Sequence, residues 1–427
     1  MVFYGSIKMM KRMRLIVRLS SEELQKKIKE NGCLYSMSWS KLNTYLSDKY
    51  SYLLRYIKHI PEERSNSYSF LGAIVHDGLE ALYEGKKTMD QIIQEFEDKF
   101  TEQRMSSINF VSDEEKNKKI EEGYYTCIKH FFHNYEKVSK DSKLEIFVGW
   151  KFGDYFMQGY IDHMYPTQEY IYKLDENGEI VKDENNNPII EKTLPFIAIE
   201  DFKTSTIYTG AKIKQNSGQL KLYAYMVSKM YNIPIESIKL NWNFLKYVSI
   251  DIEQKNGKVK TSHVLRNDIP TALSTKMKMW AKAFKYSDDE IENFYNILCK
   301  NASEYKDKNI FDGIPEEISE KFVIRDCTVN IPIDAESMEE FIKYINDTIK
   351  EMDQKIMLYK VSKDEKLFWS EITKNNSFYY LNLCGYTAKN HKPLKEYLDK
   401  ISTFEESPSE NYTLSDDVMN MLFGTQT

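Results

Sequence analysis

Apolar positions recur along this chain in two spacings, near 3.6 and near 2, and the change from one to the other predicts its elements. Residues 36–60 read SMSWSKLNTYLSDKYSYLLRYIKHI, and Leu42, Tyr45, Leu46, Tyr52, Leu53, Tyr56 and Ile57 predict one core-facing helix capped by Ser40. Residues 69–84 predict a second helix, with Phe70, Ile74, Leu79 and Leu82 inward and Gly72 and Gly78 admitting a close neighbour. Before both, SSEELQKKIKE carries a helix start at Ser20 or Ser21. Residues 87–140 are amphipathic and charged and predict two longer helices, the last ending in the aromatic run EEGYYTCIKHFFHNY. The spacing then shortens. Residues 144–165 predict two strands joined at Gly153-Asp154, residues 195–203 a buried strand, and residues 236–250 and 322–333 two more. Helices are predicted at GQLKLYAYMVSKMY, at 268–310 with Trp280, Phe284, Phe294 and Leu298 inward, and at 335–359, whereas 366–400 reads as irregular and aromatic. The polar stretch 173–194, with turn signals at Glu176-Asn177-Gly178 and Asn185-Asn186-Asn187-Pro188, predicts a protruding hairpin between two strands.

The chemistry sits where a strand pattern stops abruptly. In PFIAIEDFKTS (195–205) apolar residues give way to Glu200, Asp201, Phe202 and Lys203. Alternate side chains of a strand share a face, so Asp201 and Lys203 point one way and Phe202 the other, into apolar packing. Taking a carboxylate and an ammonium out of water is unfavourable unless the pair has a role. The plain alternative is a strand-end ion pair. A second strand, GYIDHMY, holds Asp162 among apolar neighbours. On adjacent strand ends the two aspartates can share a divalent cation, and hard oxygen ligands with open water positions suit Mg²⁺ or Mn²⁺. Such an ion polarises a phosphate oxygen and lowers the pKa of a bound water, which a lysine on the same face can orient or deprotonate. This is equipment for phosphodiester hydrolysis. His76, four residues before Glu80, is a candidate ligand or a satisfied core histidine. His130 and His133 lie three apart with no acid converging nearby in sequence and read as surface or core residues.

Composition narrows the partners. Over 427 residues the net charge is −6, so a uniformly basic nucleic-acid coat is excluded and a polyanion site must be local. Between residues 203 and 250 seven lysines face one acid, Glu236; a solvated lysine face is the plain reading, but the coincidence with two strand carboxylates favours phosphate contact. The five cysteines lie far apart without a C-x-x-C pair, which supports neither a zinc ribbon nor a disulfide framework and makes a reducing, cytoplasmic setting the default. No apolar run has the length of a membrane span, and no GxxxxGK[ST] phosphate loop occurs.

Taken together, GAIVH, GYIDHMY, IEDFKTS and QLKLY stand in the order of the motifs of the RecB-like nucleases of the PD-(D/E)XK superfamily, which this chain resembles from about residue 36 to 390. The resemblance implies an α/β fold, a mixed-sheet core flanked by helices with helical additions. It implies His76, Asp162, Asp201 and the Phe202 carbonyl as metal ligands, Lys203 as the catalytic lysine, and Gln219 and Tyr223 as the supporting pair on the following helix. The implied function is a Mg²⁺- or Mn²⁺-dependent deoxyribonuclease, an exonuclease of recombination, repair or phage DNA processing in a bacterial or phage-infected cell. The alternative is a non-catalytic DNA-binding or assembly subunit that keeps the fold. Many relatives hold an iron–sulfur cluster, but Asp48 stands where its first cysteine would fall and Thr387 follows Cys384 where a second cysteine would stand, so no cluster is expected. The organisation expected is an extension (1–35), a nuclease domain (36–400) with helical insertions (87–140, 268–310) and the hairpin insertion, and an acidic tail (401–427). The tail is read as a frayed or packed terminus, or as a segment docking on a replication or recombination partner or on the chain's own lysines.

Overall fold

A computed structural model describes residues 10, 13 and 19–404, excepting 107, 112, 139 and 140. Among these residues seven strands form one mixed sheet: β1 (Tyr35–Ser38), β2 (Lys143–Phe152), β3 (Tyr155–Tyr172), β4 (Ile190–Lys203), β5 (Ile238–Glu253), β6 (Val259–Leu265) and β7 (Phe322–Ile331). The helices used below are α1 (Ser21–Glu30), α2 (Trp39–Ser47), α3 (Ser67–Tyr83), α4 (Met89–Met105), α5 (Glu114–Asn134), α6 (Gly218–Tyr231), α7 (Ile269–Ala283), α8 (Asp288–Ser303), α9 (Ala335–Ser362) and α10 (Lys392–Phe404).

The sheet is built around β3, long enough to serve different neighbours along its length. Its first half pairs antiparallel with β2 and parallel with β1, and its second half pairs antiparallel with β4. The β2–β3 turn passes through Gly153 at φ +56°, a left-handed conformation that favours glycine. β4 pairs parallel with β5 from Ile197 onward, a reversal of direction that the crossover through α6 makes possible. Pro195, opposite Gln168 in the β3–β4 ladder, lies before the β4–β5 pairing begins, so its missing N–H takes nothing from that second ladder. β7 and β6 extend β5, and the β5–β7 register breaks between Asn243 and Val248.

Apolar clusters cover both sides of the sheet. Ile197 and Ile199 pack with Leu220, Leu222 and Val227 of α6 and with Ile345 and Met352 of α9. Phe202 and Leu245 pack with Leu71, Val75 and Leu79 of α3, Phe96 of α4 and Phe131 of α5. The far ends of β5 and β7 rest on α7 and α8 through Leu273, Met277 and Leu298.

Several expectations need correction. Residues 36–60 are not one helix: β1 comes first, α2 is capped by Ser38 rather than Ser40, and Asp48 adopts extended backbone and interrupts the run. Helix α3 is capped by Asn66, and its most buried row is Leu71, Val75 and Leu79, with Phe70, Ile74 and Leu82 only half-buried. Phe284 stacks on Trp280 but stays exposed. Residues 366–400 are not irregular throughout, because α10 begins within them. The tail beyond Phe404 lies outside the described residues, as do most of the first eighteen.

Candidate active site

Burial of β4 on both sides explains its unbroken apolar run, since a strand covered twice cannot alternate. The ladder pairs His163 with Glu200, so Asp162 on β3 and Asp201 on β4 lie one step beyond that pair, across from each other. The Lys203 ammonium lies 2.5 Å from Asp201 Oδ2. Only β4 ends here: Asp162, expected at a strand end, lies mid-strand where β3 passes from β2 to β4, and helix α3 brings His76 over that place. Its Nε2 is 3.0 Å from the Phe202 carbonyl oxygen and its Nδ1 3.3 Å from Asp162 Oδ2. The Phe202 N–H donates to Asp162 Oδ2 at 3.2 Å, which ties β4 to β3 beyond their ladder. On α6, Gln219 Nε2 donates to Tyr223 Oη at 3.3 Å. The Tyr223 ring lies directly over Gly159 of β3, where a Cβ would come within 2.6 Å of ring carbon. Glycine at that position lets the α6 tyrosine approach the strand that carries Asp162.

The electrostatics are set by burial. Burial and then the Asp201 charge raise the Asp162 carboxyl well above the ordinary range, a like-charge pair that calls for a cation. Burial pulls the Lys203 ammonium down, but the Asp201 and Asp162 carboxylates outweigh it, and its pKa ends above that of a free lysine. Burial lowers His76, which favours the neutral imidazole a ligand requires. Burial raises the Tyr223 hydroxyl, so it remains protonated.

The donor set fits a hard divalent cation. The buried Asp201 carboxylate, whose Oδ2 lacks a directed hydrogen bond, and the partly buried Asp162 carboxylate lie with a backbone carbonyl and a neutral imidazole beside the end of β4. The Lys203 ammonium supplies the positive charge against Asp201 here. Among the described residues the trio whose ligand atoms all lie within 4.8 Å of one another is instead Asp48, Cys384 and His391, all buried; the ligand atoms of His76, Asp162 and Asp201 are spread wider.

Sequence reasoning missed that trio because His391 is 343 residues from Asp48. It missed the buried His163–Glu200 pair, 2.9 Å apart, although the same period-2 logic places these residues opposite Asp162 and Asp201. His130, read as a surface or core residue, is buried and meets Asp307, distant in sequence, at 2.6 Å, and Arg266 closes on that aspartate at 2.7 Å. The lysine-rich stretch does not act as one patch: Lys239 pairs with Glu169, whereas Lys246 turns inward.

Residues 36–175 match the family model described as the PD-(D/E)XK nuclease superfamily. The match holds β1, His76 and Asp162 and ends as the protruding segment begins, before Asp201 and Lys203. The mixed sheet flanked by helices is consistent with the fold of that superfamily, to which residues 36–175 are similar. No curated protein matches the chain. No helix among the described residues is long and apolar enough to cross a membrane.

Proposed function

We propose that this protein is a divalent-metal-dependent nuclease that cleaves DNA, working as an exonuclease in recombination, repair or phage DNA processing. The observation that carries the reading is the convergence of His76, Asp162, Asp201 and Lys203, from three elements, on the end of β4 and the middle of β3 beside it. His76, Asp162, Asp201 and the Phe202 carbonyl would hold Mg²⁺ or Mn²⁺. When bound, the ion polarises a phosphate oxygen and makes a bound water more acidic. Lys203, kept protonated by its carboxylate neighbours, acts as a fixed cation that positions the attacking water and offsets charge on the pentavalent phosphate. That favours the orienting role over proton removal. Gln219 and Tyr223 hold the α6 side of the site against Gly159 and steady the two strands.

The test uses end-labelled linear and closed circular DNA, single- and double-stranded, with Mg²⁺ or Mn²⁺. Linear DNA should be shortened from its ends while circles persist. Asp201→Ala and Lys203→Ala should each lower the rate by about 10² or more with circular dichroism unchanged. His76→Ala should raise the Mn²⁺ concentration needed for half-maximal rate more than it weakens DNA binding. Cleavage at the wild-type rate by either pure Asp201 or Lys203 variant would overturn the proposal. Binding without cleavage by the wild type would instead favour a non-catalytic DNA-binding subunit.

A further inference from the structure

A cleft of about 700 Å³ opens where β4 ends, one residue beyond Lys203. Asn66 and Tyr68 at the start of α3, Tyr124 of α5, Thr204, Lys246 and Tyr379 are among its lining residues. Two features set it apart from ordinary surface. Among the described residues its lining contains two lysines and neither aspartate nor glutamate, in a chain whose net charge is −6. And Lys246 is only 9 % exposed.

No carboxylate lies within ion-pair distance of Lys246 among the described residues; its ammonium sits 5.6 Å from the centre of the Tyr124 ring. An unpaired buried ammonium is strongly disfavoured, and lysines are almost never buried without a partner. The lysine is there because β5 loses register with β7 between Asn243 and Val248, and Lys246 falls in that break. The buried Tyr124 hydroxyl lies beside the Thr204 side chain without a well-formed hydrogen bond. Donors without acceptors, in a cleft whose described lining holds no acid, call for an anion. The start of α3, a 17-residue helix, adds its partial positive charge from the same side. The aromatic rings at the rim, Tyr68 and Tyr379, suit flat unpaired bases.

We propose that this cleft binds one unpaired strand of the nucleic acid, with Lys246 holding the phosphate next to the one cleaved at Lys203 and the rim tyrosines stacking its bases. The proposal rests on the nuclease reading and names the substrate's form at that site. Lys246 is then a substrate-binding residue outside the metal and lysine set.

The test is Lys246→Met, which keeps the side chain's length and removes its charge. Binding of a short fluorescein-labelled oligothymidylate is followed by anisotropy in EDTA, over a series of salt concentrations. Loss of one charged contact should weaken binding roughly tenfold or more and reduce the salt slope by about 0.7. Thermal unfolding of the variant should be unchanged or shifted upward, which excludes misfolding as the cause. Equal affinity and equal salt slope in the two proteins would overturn the proposal while leaving the nuclease reading intact, provided that the wild type binds and cuts. A wild type that neither binds nor cuts nucleic acid would overturn both.

Discussion

Lys203 and Lys246 are the same side chain in opposite circumstances. Both are withdrawn from water, but Lys203 faces two carboxylates and is held charged, whereas burial pushes Lys246 down to about 8. The difference has a thermodynamic consequence. Lys246 binds its proton less tightly folded than unfolded, so between about pH 8 and the ordinary lysine value of 10.5 the unfolded chain carries more protons. Stability therefore rises with pH across that window, and below it the full penalty applies. Lys246→Met removes the penalty. By urea unfolding it should be more stable than the wild type by about 2–4 kcal/mol at pH 7, with the gap closing towards pH 10. A gap that does not change with pH would show that the gain came from packing rather than from charge. Of these two lysines only the first was legible in the sequence. Asp201 and Lys203 stand two apart at the end of an apolar run, so strand period alone sets them on one face. Lys246 sits in a plain apolar stretch, NWNFLKYVSI, and its burial follows from a register break that no local pattern announces.

Elements whose apolar spacing is long and regular were legible for the same reason: burying one stripe or one face is what forms them. β6 was not anticipated, because Val259–Leu265 is largely polar and half-exposed and its pairing with β5 is long-range information. The protruding segment shows a subtler case. One hairpin was expected, and the turn signals are real, but each makes its own turn. Asp175 Oδ1 accepts from the N–H groups of Asn177 and Glu179, and Asp183 Oδ1 from those of Asn185 and Asn187, all at 2.9 Å. Two bridges, Leu174 with Ile180 and Lys182 with Pro188, close the two turns in succession. These aspartates make local hydrogen bonds that offer the backbone an alternative to extending β3 and β4. The segment leaves Leu174, Ile180 and Ile189 exposed and adds nothing to the apolar clusters. Replacing residues 174–188 by Asn-Gly should thus change unfolding free energy by no more than about 0.5 kcal/mol and leave cleavage unaltered. A measurable loss of cleavage would mean that the projection contacts substrate, and a larger loss of stability that it braces the β3–β4 ladder.

At the scale of the whole molecule, the described chain closes on itself at Asp48. One carboxylate oxygen accepts the Tyr50 N–H at 3.1 Å, and the other accepts from the Ser51 hydroxyl and lies 2.9 Å from His391 Nε2. Cys384 Sγ fills the remaining side, 3.6 Å from Ser51 Oγ. The interrupted helix at 36–60 is part of the same arrangement: Asp48 leaves helical backbone to turn its carboxylate inward. His391 caps α10 with its other nitrogen, where Nδ1 accepts the Leu394 N–H at 3.1 Å. That bond fixes the ring proton on Nε2, pointing at Asp48, so the imidazole offers no lone pair to a cation there. The knot is therefore complete through hydrogen bonds, and it ties the segment after α2 to a segment more than three hundred residues later. His391→Ala would leave the buried carboxylate short of a donor and open a cavity, and should lower unfolding free energy by about 2–4 kcal/mol. Hydrogen exchange should show where the loss falls. Amides of α2 and α10 should lose protection together, while those of β3, β4 and β5 stay slow. Elemental analysis of the wild type should find neither iron nor zinc in stoichiometric amount. Stoichiometric metal, or a loss below about 1 kcal/mol in His391→Ala, would show that something other than this hydrogen-bonded knot holds the two distant segments together.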